Sequence, residues 1–180
     1  KFMNIKKTFF EEVFYFELEA KNDCRGSFSR FFCKKFFKKF GVNFNVKQIS
    51  FAKNTKRHTL RGLHFQKFPS EEQKIIACTR GAIWDVVVDI RVNSKNYGKW
   101  FSIELNHKKQ NCLFVPRGFA HGYITLTHNT EIIYLMDEYY NSKESCGLIW
   151  NDPSLKIKWP YTPLKISKKD ENLPRFDDLL

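Results

Sequence analysis

Hydrophobic residues alternate with polar ones along much of this chain, and one short stretch departs from that rhythm. In "FSRFFCKKFFKKFG", Phe28, Phe31, Phe32, Phe36, Phe37 and Phe40 recur at helical spacing, four lysines lie mostly opposite, and Gly41 supplies a stop. The pattern predicts an amphipathic helix whose aromatic stripe packs on a sheet; a basic helix lying on a membrane is the other reading. From about Asn43 onward the chain reads as short strands and turns. "IIACTRGAIWDVVVDIR" predicts a hairpin turning at Arg80-Gly81, with Ala82, Trp84, Val86, Val88 and Ile90 alternating with Ile83, Asp85, Val87 and Asp89. "KWFSIEL", "CLFVP", "AHGYITLT" and "EIIYLM" follow, parted by turns at Tyr97-Gly98, Asn106–Gln110, Arg117-Gly118 and His128-Asn129. Such spacing predicts a mainly β jelly-roll barrel, with a short N-terminal helix and a proline-punctuated tail from Asn151 that wraps it.

Composition bounds this picture. A length of 180 residues fits one domain over 1–180, and a hydrophobic content of 42% argues against disorder. No apolar run approaches the ~18–20 residues that span a bilayer, and Glu11 and Glu12 interrupt the early apolar stretch, against a signal peptide. Cys24, Cys33, Cys78, Cys112 and Cys146 are odd in number and form no CxxC pair, which favours reduced thiols in a cytoplasmic protein. A net charge of +12 raises the question of nucleic acid. The lysines, however, form short clusters (Lys34-Lys35, Lys38-Lys39, Lys108-Lys109, Lys168-Lys169) and no long basic tract. The expectation is therefore neither a nucleic-acid nor a membrane partner, and a field that suits a phosphorylated small molecule.

Candidate chemistry gathers in "RGLHFQ" and "VPRGFAHGY". The spacing Pro116-x-Gly118-x-x-His121 resembles the second motif of cupins, jelly-roll barrels of which many bind a metal through a His-x-His pair, a Glu and this later histidine. Here the first motif offers His64-Phe65-Gln66, so the second imidazole is missing. A transition metal wants three or four nitrogen, oxygen or sulfur ligands, and the expectation is no metal and no cofactor. On a strand Leu60, Gly62, His64 and Gln66 share one face while Leu63 and Phe65 fill the other. Arg61 then opposes His64, unless a bend or bulge at Gly62 brings both into one cavity. From these residues alone His64 is either a packed core histidine or a cavity group. His121, Tyr123 and Tyr134, also expected to point inward, suit a polar, aromatic-lined ligand cavity.

The string "TLRGLHFQ…GAIWDVVVDIR…YGKW…FVPRGFAHGY…EIIY…YY…WNDPSLKIKWP…ISKKD" closely resembles the dTDP-4-dehydrorhamnose 3,5-epimerase family, from "NDCRGSF" to "LPRF". The resemblance implies a cofactor-free epimerase of a nucleotide-diphosphate-linked 4-keto-6-deoxy sugar, working through an enolate in deoxysugar and surface polysaccharide biosynthesis. His64 matches the general base, and Asp170 the carboxylate that orients it. Lys74 matches the cation beside the developing oxyanion, and Tyr134 the acid on the opposite face. Arg25 and Arg61 match diphosphate contacts, Lys169 and His121 further substrate contacts, and Tyr139 an aromatic near the nucleotide base. Phe28, Arg30, Gln48 and Ser50 fall in the family's nucleotide-binding segments. A homodimer is implied, in which N-terminal residues such as Arg25 complete the partner's site.

Two positions depart from the family pattern. Arg30 stands where the motif Arg-Gly-x-Phe-x-Glu has its carboxylate, and Gln48-Ile49-Ser50 stands for Gln-Asp-Asn. A carboxylate accepts the N3–H of thymine or uracil, whereas cytosine offers acceptors that suit an arginine, which makes a CDP-linked sugar an alternative. Inversion at C3 alone or C5 alone is another. A third is a non-catalytic or metal-binding cupin that binds sugar nucleotides.

Overall fold

The computed structural model describes residues 3–179. Lys1, Phe2 and Leu180, which the expected domain includes, lie outside the described residues. The chain runs through β1 (Met3–Lys7), β2 (Phe14–Leu18), β3 (Lys21–Asp23), β4 (Gly26–Phe28), α1 (Lys34–Lys39), β5 (Gln48–Asn54), β6 (Leu60–Gln66) and β7 (Lys74–Arg80). It continues through β8 (Ala82–Asp89), β9 (Trp100–Asn106), β10 (Asn111–Val115), β11 (Phe119–Thr125), β12 (Thr130–Met136), β13 (Ser145–Gly147) and α2 (Lys168–Glu171), ending in a 3-10 turn (Phe176–Leu179). One antiparallel sheet has the order β1-β2-β10-β7-β12-β5 and faces a second of order β13-β6-β11-β8-β9, while β3 and β4 form a separate hairpin. This is the expected mainly β jelly roll.

The strands are apolar on both faces because both faces are covered. Ile76, Val87, Leu113, Phe119 and Ile132 fill the space between the sheets. Phe14, Phe16, Phe37, Phe44 and Phe114 cover the outside of the first sheet, drawing α1 onto it. Leu148, Leu155 and Phe176 from the tail cover Leu63, Val86 and Ala120 on the outside of the second. The tail wraps the barrel as the proline-rich pattern suggested. All five cysteines are free thiols, and burial pushes Cys78 up to about 12.

The structure corrects two sequence readings and adds two strands that the sequence reading did not address. Residues 74–89 are not a hairpin at Arg80-Gly81: β7 pairs with β10 and β12, β8 with β9 and β11, so the turn is a corner between sheets. Alternation alone cannot distinguish the two, because a strand reads the same whichever partner it finds. The helix spans only Lys34–Lys39; Phe28 ends β4, and Cys33 is still extended (φ −147°, ψ 106°). Phe31 and Phe32 reach the same aromatic cluster from non-helical backbone, so packing rather than helical phase explains their spacing. Gly41 does stop the helix, its N–H donating to Lys38 O at 3.1 Å. Finally, β1 and β2, which carry no strong alternation, form the outer edge of the first sheet.

The bend expected at Gly62 is present. Gly62 has φ 106°, and the register of β6 against β11 shifts between the pairs His64↔His121 and Arg61↔Tyr123. A Cβ on Gly62 would sit 2.7 Å from both Gly122 Cα and His121 O, so only glycine lets the strands approach this closely. Gly62→Ala is expected to cost roughly 2–5 kcal/mol in urea denaturation, combining backbone strain with overpacking. Gly41→Ala, also at positive φ but with nothing within 4 Å of its Cβ, is expected to cost only about 1 kcal/mol; equal losses would refute the crowding argument.

Candidate active site

A cavity of about 430 Å³ opens between the two sheets. The second sheet contributes Arg61, His64 and His121 to it, and the first contributes Gln48, Ser50, Lys74 and Tyr134. Lys169 closes it from α2. The alternation of β6, read with the bulge at Gly62, therefore places Arg61 and His64 on one side after all.

His64 is about 39% exposed toward this space, and its Nε2–H donates to Asp170 Oδ1 at 2.7 Å. Asp170 itself is 6% exposed. Its second oxygen accepts the Gly62 N–H at 3.1 Å, and Ser167 caps the helix by accepting the Asp170 N–H at 3.0 Å. Burial pushes the Asp170 carboxyl up, but the His64 hydrogen bond and charge, the Gly62 amide and Lys169 together hold it below the ordinary value. An ionised carboxylate can only accept, so Nε2 carries the proton and the lone pair of the neutral ring is on Nδ1.

His121, paired with His64 across the strands, has its own carboxylate in Asp85: Nε2 lies 2.8 and 3.0 Å from its oxygens, in surroundings almost closed to solvent. Burial raises the Asp85 carboxyl, and His121 works against that rise. On the facing wall the Tyr134 ring stands 6.3 Å from the His121 ring at 77°. Burial, then the charge and hydroxyl of Tyr123, push its phenol well above the ordinary value. Lys74, largely buried, is ion-paired with Glu72 at 2.9 Å.

The structure gathers eight of the expected residues around the cavity and sets Asp170 directly behind His64. Four lie elsewhere. Arg25 is at the tip of the β3–β4 hairpin, 86% exposed and ion-paired with Asp23 at 2.6 Å. Phe28 is 67% exposed on the same hairpin, and Arg30 is exposed on the segment that follows it. None of the three lines the cavity within one chain. Tyr139 has the Lys47 ammonium 5.2 Å from its ring and does not line the cavity; its neighbour Tyr140, equally exposed, borders it instead. An adjacent-aromatic pair carries no signal saying which ring borders the cavity.

Sequence reasoning missed Glu72, Asn54 and the pairing role of Asp85. Asp85 had a readable signal: a charged residue between Ile83 and Val87 on the face that turns inward. Gln66, which stands at the missing metal-ligand position, spends its side chain on the loop ahead of it. Its amide donates to Ser70 O (2.8 Å) and Tyr139 O (3.1 Å) and accepts the Asn141 N–H (2.7 Å). Among the described residues no group of three or more His, Cys, Asp or Glu is placed to hold a metal ion, and no helix is long and apolar enough to cross a membrane.

A cupin-type jelly roll with a carboxylate-held imidazole and a half-buried phenol across one polar cavity defines the class. The family model described as dTDP-4-dehydrorhamnose 3,5-epimerase matches residues 7–178. The chain is 38% identical over 180 residues to the dTDP-4-dehydrorhamnose 3,5-epimerase of Escherichia coli (strain K12), covering 99% of this chain and 97% of the relative. It is also similar to the Bacillus anthracis enzyme of that name with TDP and PPi bound (TM-score 0.93, 38% identity, 96% of this chain and 99% of that one). A third likeness is to the Legionella pneumophila dTDP-6-deoxy-D-glucose-3,5-epimerase in complex with dTDP-4-keto-L-rhamnose (TM-score 0.93, 29% identity, 97% and 93%). The chain belongs to the dTDP-4-dehydrorhamnose 3,5-epimerase family, isomerases that act on carbohydrates.

The Asp170 geometry carries a stability prediction. A folded-state value below the unfolded one contributes stability that is present above the ordinary carboxylate range and is lost as pH falls through the folded value. Asp170→Asn is therefore expected to lose roughly 1–3 kcal/mol at pH 7, with the gap to wild type closing below about pH 4. Urea melts between pH 7 and 3 check this; a gap that does not change with pH would refute it.

Proposed function

We propose that this chain inverts stereocentres beside the ketone of a dTDP-linked 4-keto-6-deoxy sugar, at C3 and C5. Both C–H bonds lie alpha to the carbonyl, so losing either proton gives an enolate. His64, through Nδ1, removes the proton, and Asp170 stabilises the imidazolium that forms. Lys74 neutralises charge at O4, and Tyr134 returns a proton from the opposite face. Atoms and electrons balance without a redox partner. The observation that carries this reading is the placement of the His64–Asp170 pair and Tyr134 on facing sheets of one cavity.

Arg61 seats the diphosphate, with Lys169 beside it, and a guanidinium suits phosphate geometry. The dTDP nucleotide is favoured because the similar structures hold TDP or a dTDP-sugar. The argument for CDP rested on Arg30, which lies outside the cavity of its own chain. The exposed Arg25 and Phe28 suit a homodimer in which the β3–β4 hairpin completes the partner's site. Five free thiols favour a reducing, cytoplasmic setting.

Solvent-deuterium incorporation into dTDP-4-keto-6-deoxyglucose, followed by NMR with and without chelator, tests the reaction. Deuterium is expected at C3 and C5 regardless of chelator. No exchange, or exchange that chelator abolishes, would overturn the proposal. Label at one carbon alone would make this a single-site epimerase, and faster turnover of the CDP-sugar would reassign the nucleotide. His64→Ala and Tyr134→Phe are each expected to lower kcat by about 10²–10⁴, with little change in KM; unchanged turnover in both would remove the assigned roles. For the dimer, mixing His64→Ala with Arg25→Ala protein should restore activity that neither has alone, and mixtures no better than their parts would place Arg25 outside the site.

A further inference from the structure

Arg61 is held differently from Arg25, Arg91 and Arg117. Each of those three sets a terminal guanidinium nitrogen 2.6 or 2.7 Å from a carboxylate. Arg61 instead gives its Nε–H to the amide oxygen of Asn54 at 2.9 Å, and among the described residues it has no carboxylate partner. Asn54 ends β5 in the first sheet, paired with Thr130 of β12, whereas Arg61 and Tyr123 lie on β6 and β11 in the second. Asn54 is 4% exposed and stands behind Arg61, outside the residues that line the cavity. Its Nδ2 donates to the Tyr123 hydroxyl oxygen at 3.2 Å and to Thr130 O at 3.5 Å.

We propose that Asn54 is a positioning residue for Arg61: a buried, uncharged clamp that holds Nε and presents the terminal fork to a diphosphate with its charge uncancelled. The inference rests on the reading of Arg61 as the diphosphate anchor. The orientation of the amide follows from donor inventory. Every N–H of a guanidinium donates, so Arg61 takes the carbonyl end of Asn54, and the NH2 end is left for the Tyr123 and Thr130 oxygens. All three partners agree on one amide orientation, and they fix it from both sheets. The arginine stem is long and rich in rotamers, and Arg61 is exposed, so a diphosphate that had to order it would lose affinity in doing so. Gripping Nε leaves both Nη nitrogens, the fork that meets two phosphate oxygens at once. A carboxylate in place of Asn54 would orient the guanidinium as well, but its charge would compete with the phosphates; an amide orients without competing.

Calorimetric titration with dTDP and with thymidine, which lacks the phosphates, tests the clamp. Asn54→Ala is expected to weaken dTDP roughly two- to tenfold, the cost of ordering one long side chain on binding, while thymidine binds as it does to wild type. KM for the dTDP-sugar should rise in step and kcat stay within about twofold, because the loss is of uniform binding. Asn54→Asp keeps an acceptor for Nε but adds an anion, and should weaken dTDP more than Asn54→Ala does. Arg61→Lys places a methylene where Nε stood, so adding Asn54→Ala to it should change dTDP binding by less than about twofold. Wild-type dTDP affinity in Asn54→Ala, an equal loss for thymidine, or the same loss in the Arg61→Lys background would overturn the inference. Should Asn54→Ala not fold, dTDP binding by Asn54→Asp as tight as wild type would do the same. Arg61→Ala with wild-type dTDP affinity would instead remove the anchor role beneath it.

Discussion

The close approach of β6 and β11 at Gly62 and Gly122 is the contact on which the site depends. A Cβ at Gly122 would lie 2.8 Å from Arg61 O, and one at Gly62 would meet Gly122 in return. Two glycines facing each other let the strands close and let the register slip between His64 and Arg61. Without that slip, alternation would turn Arg61 outward with Leu63 and Phe65, which pack under the tail. The same bend leaves the Gly62 N–H pointing at Asp170, so a single backbone feature sets Arg61, His64 and the carboxylate that holds His64.

Charge inside the barrel is tolerated because nearly every ion has a partner. His64 has Asp170, His121 has Asp85, and Lys74 has Glu72. Two imidazole–carboxylate pairs of the same composition stand side by side, and exposure separates them. His64 is 39% open and His121 is 5% open. Only the first can meet a C–H bond of a ligand without first breaking its surroundings, while the second is fixed as part of the wall. Chemistry that looks interchangeable in the sequence is assigned by how far each ring stands from the core.

The basic helix, which offered a membrane reading, has a simpler place. Phe37 is buried in the cluster over the first sheet, and the lysines of α1 face solvent. Six residues are too few to hold a helix by propensity. Packing onto Phe14, Phe16 and Phe114 holds it instead. The +12 charge is thus spread over a covered barrel, and part of it, in Arg61, Lys74 and Lys169, is turned into the cavity.

Legibility followed the range of the interactions. Strands Trp100–Asn106 through Thr130–Met136 could be read because alternation and turn residues are local, and Gln110 and Asn129 do take the positive φ (48° and 50°) that such turns need. His64, Lys74, Tyr134 and Asp170 could be assigned from family resemblance. The amino-acid sequence by itself thus determined the mainly β jelly roll, the wrapping tail and the identity of the ionisable set. Tertiary structure decided what depends on contacts between distant segments: that β7 and β8 separate into two sheets, that Tyr140 rather than Tyr139 borders the cavity, and that Arg25, Phe28 and Arg30 stand away from their own chain's cavity. It also decided that Asn54 meets both Tyr123 and Arg61. A side chain's type is written locally, but which neighbour satisfies its hydrogen bonds is settled only when two sheets close over it.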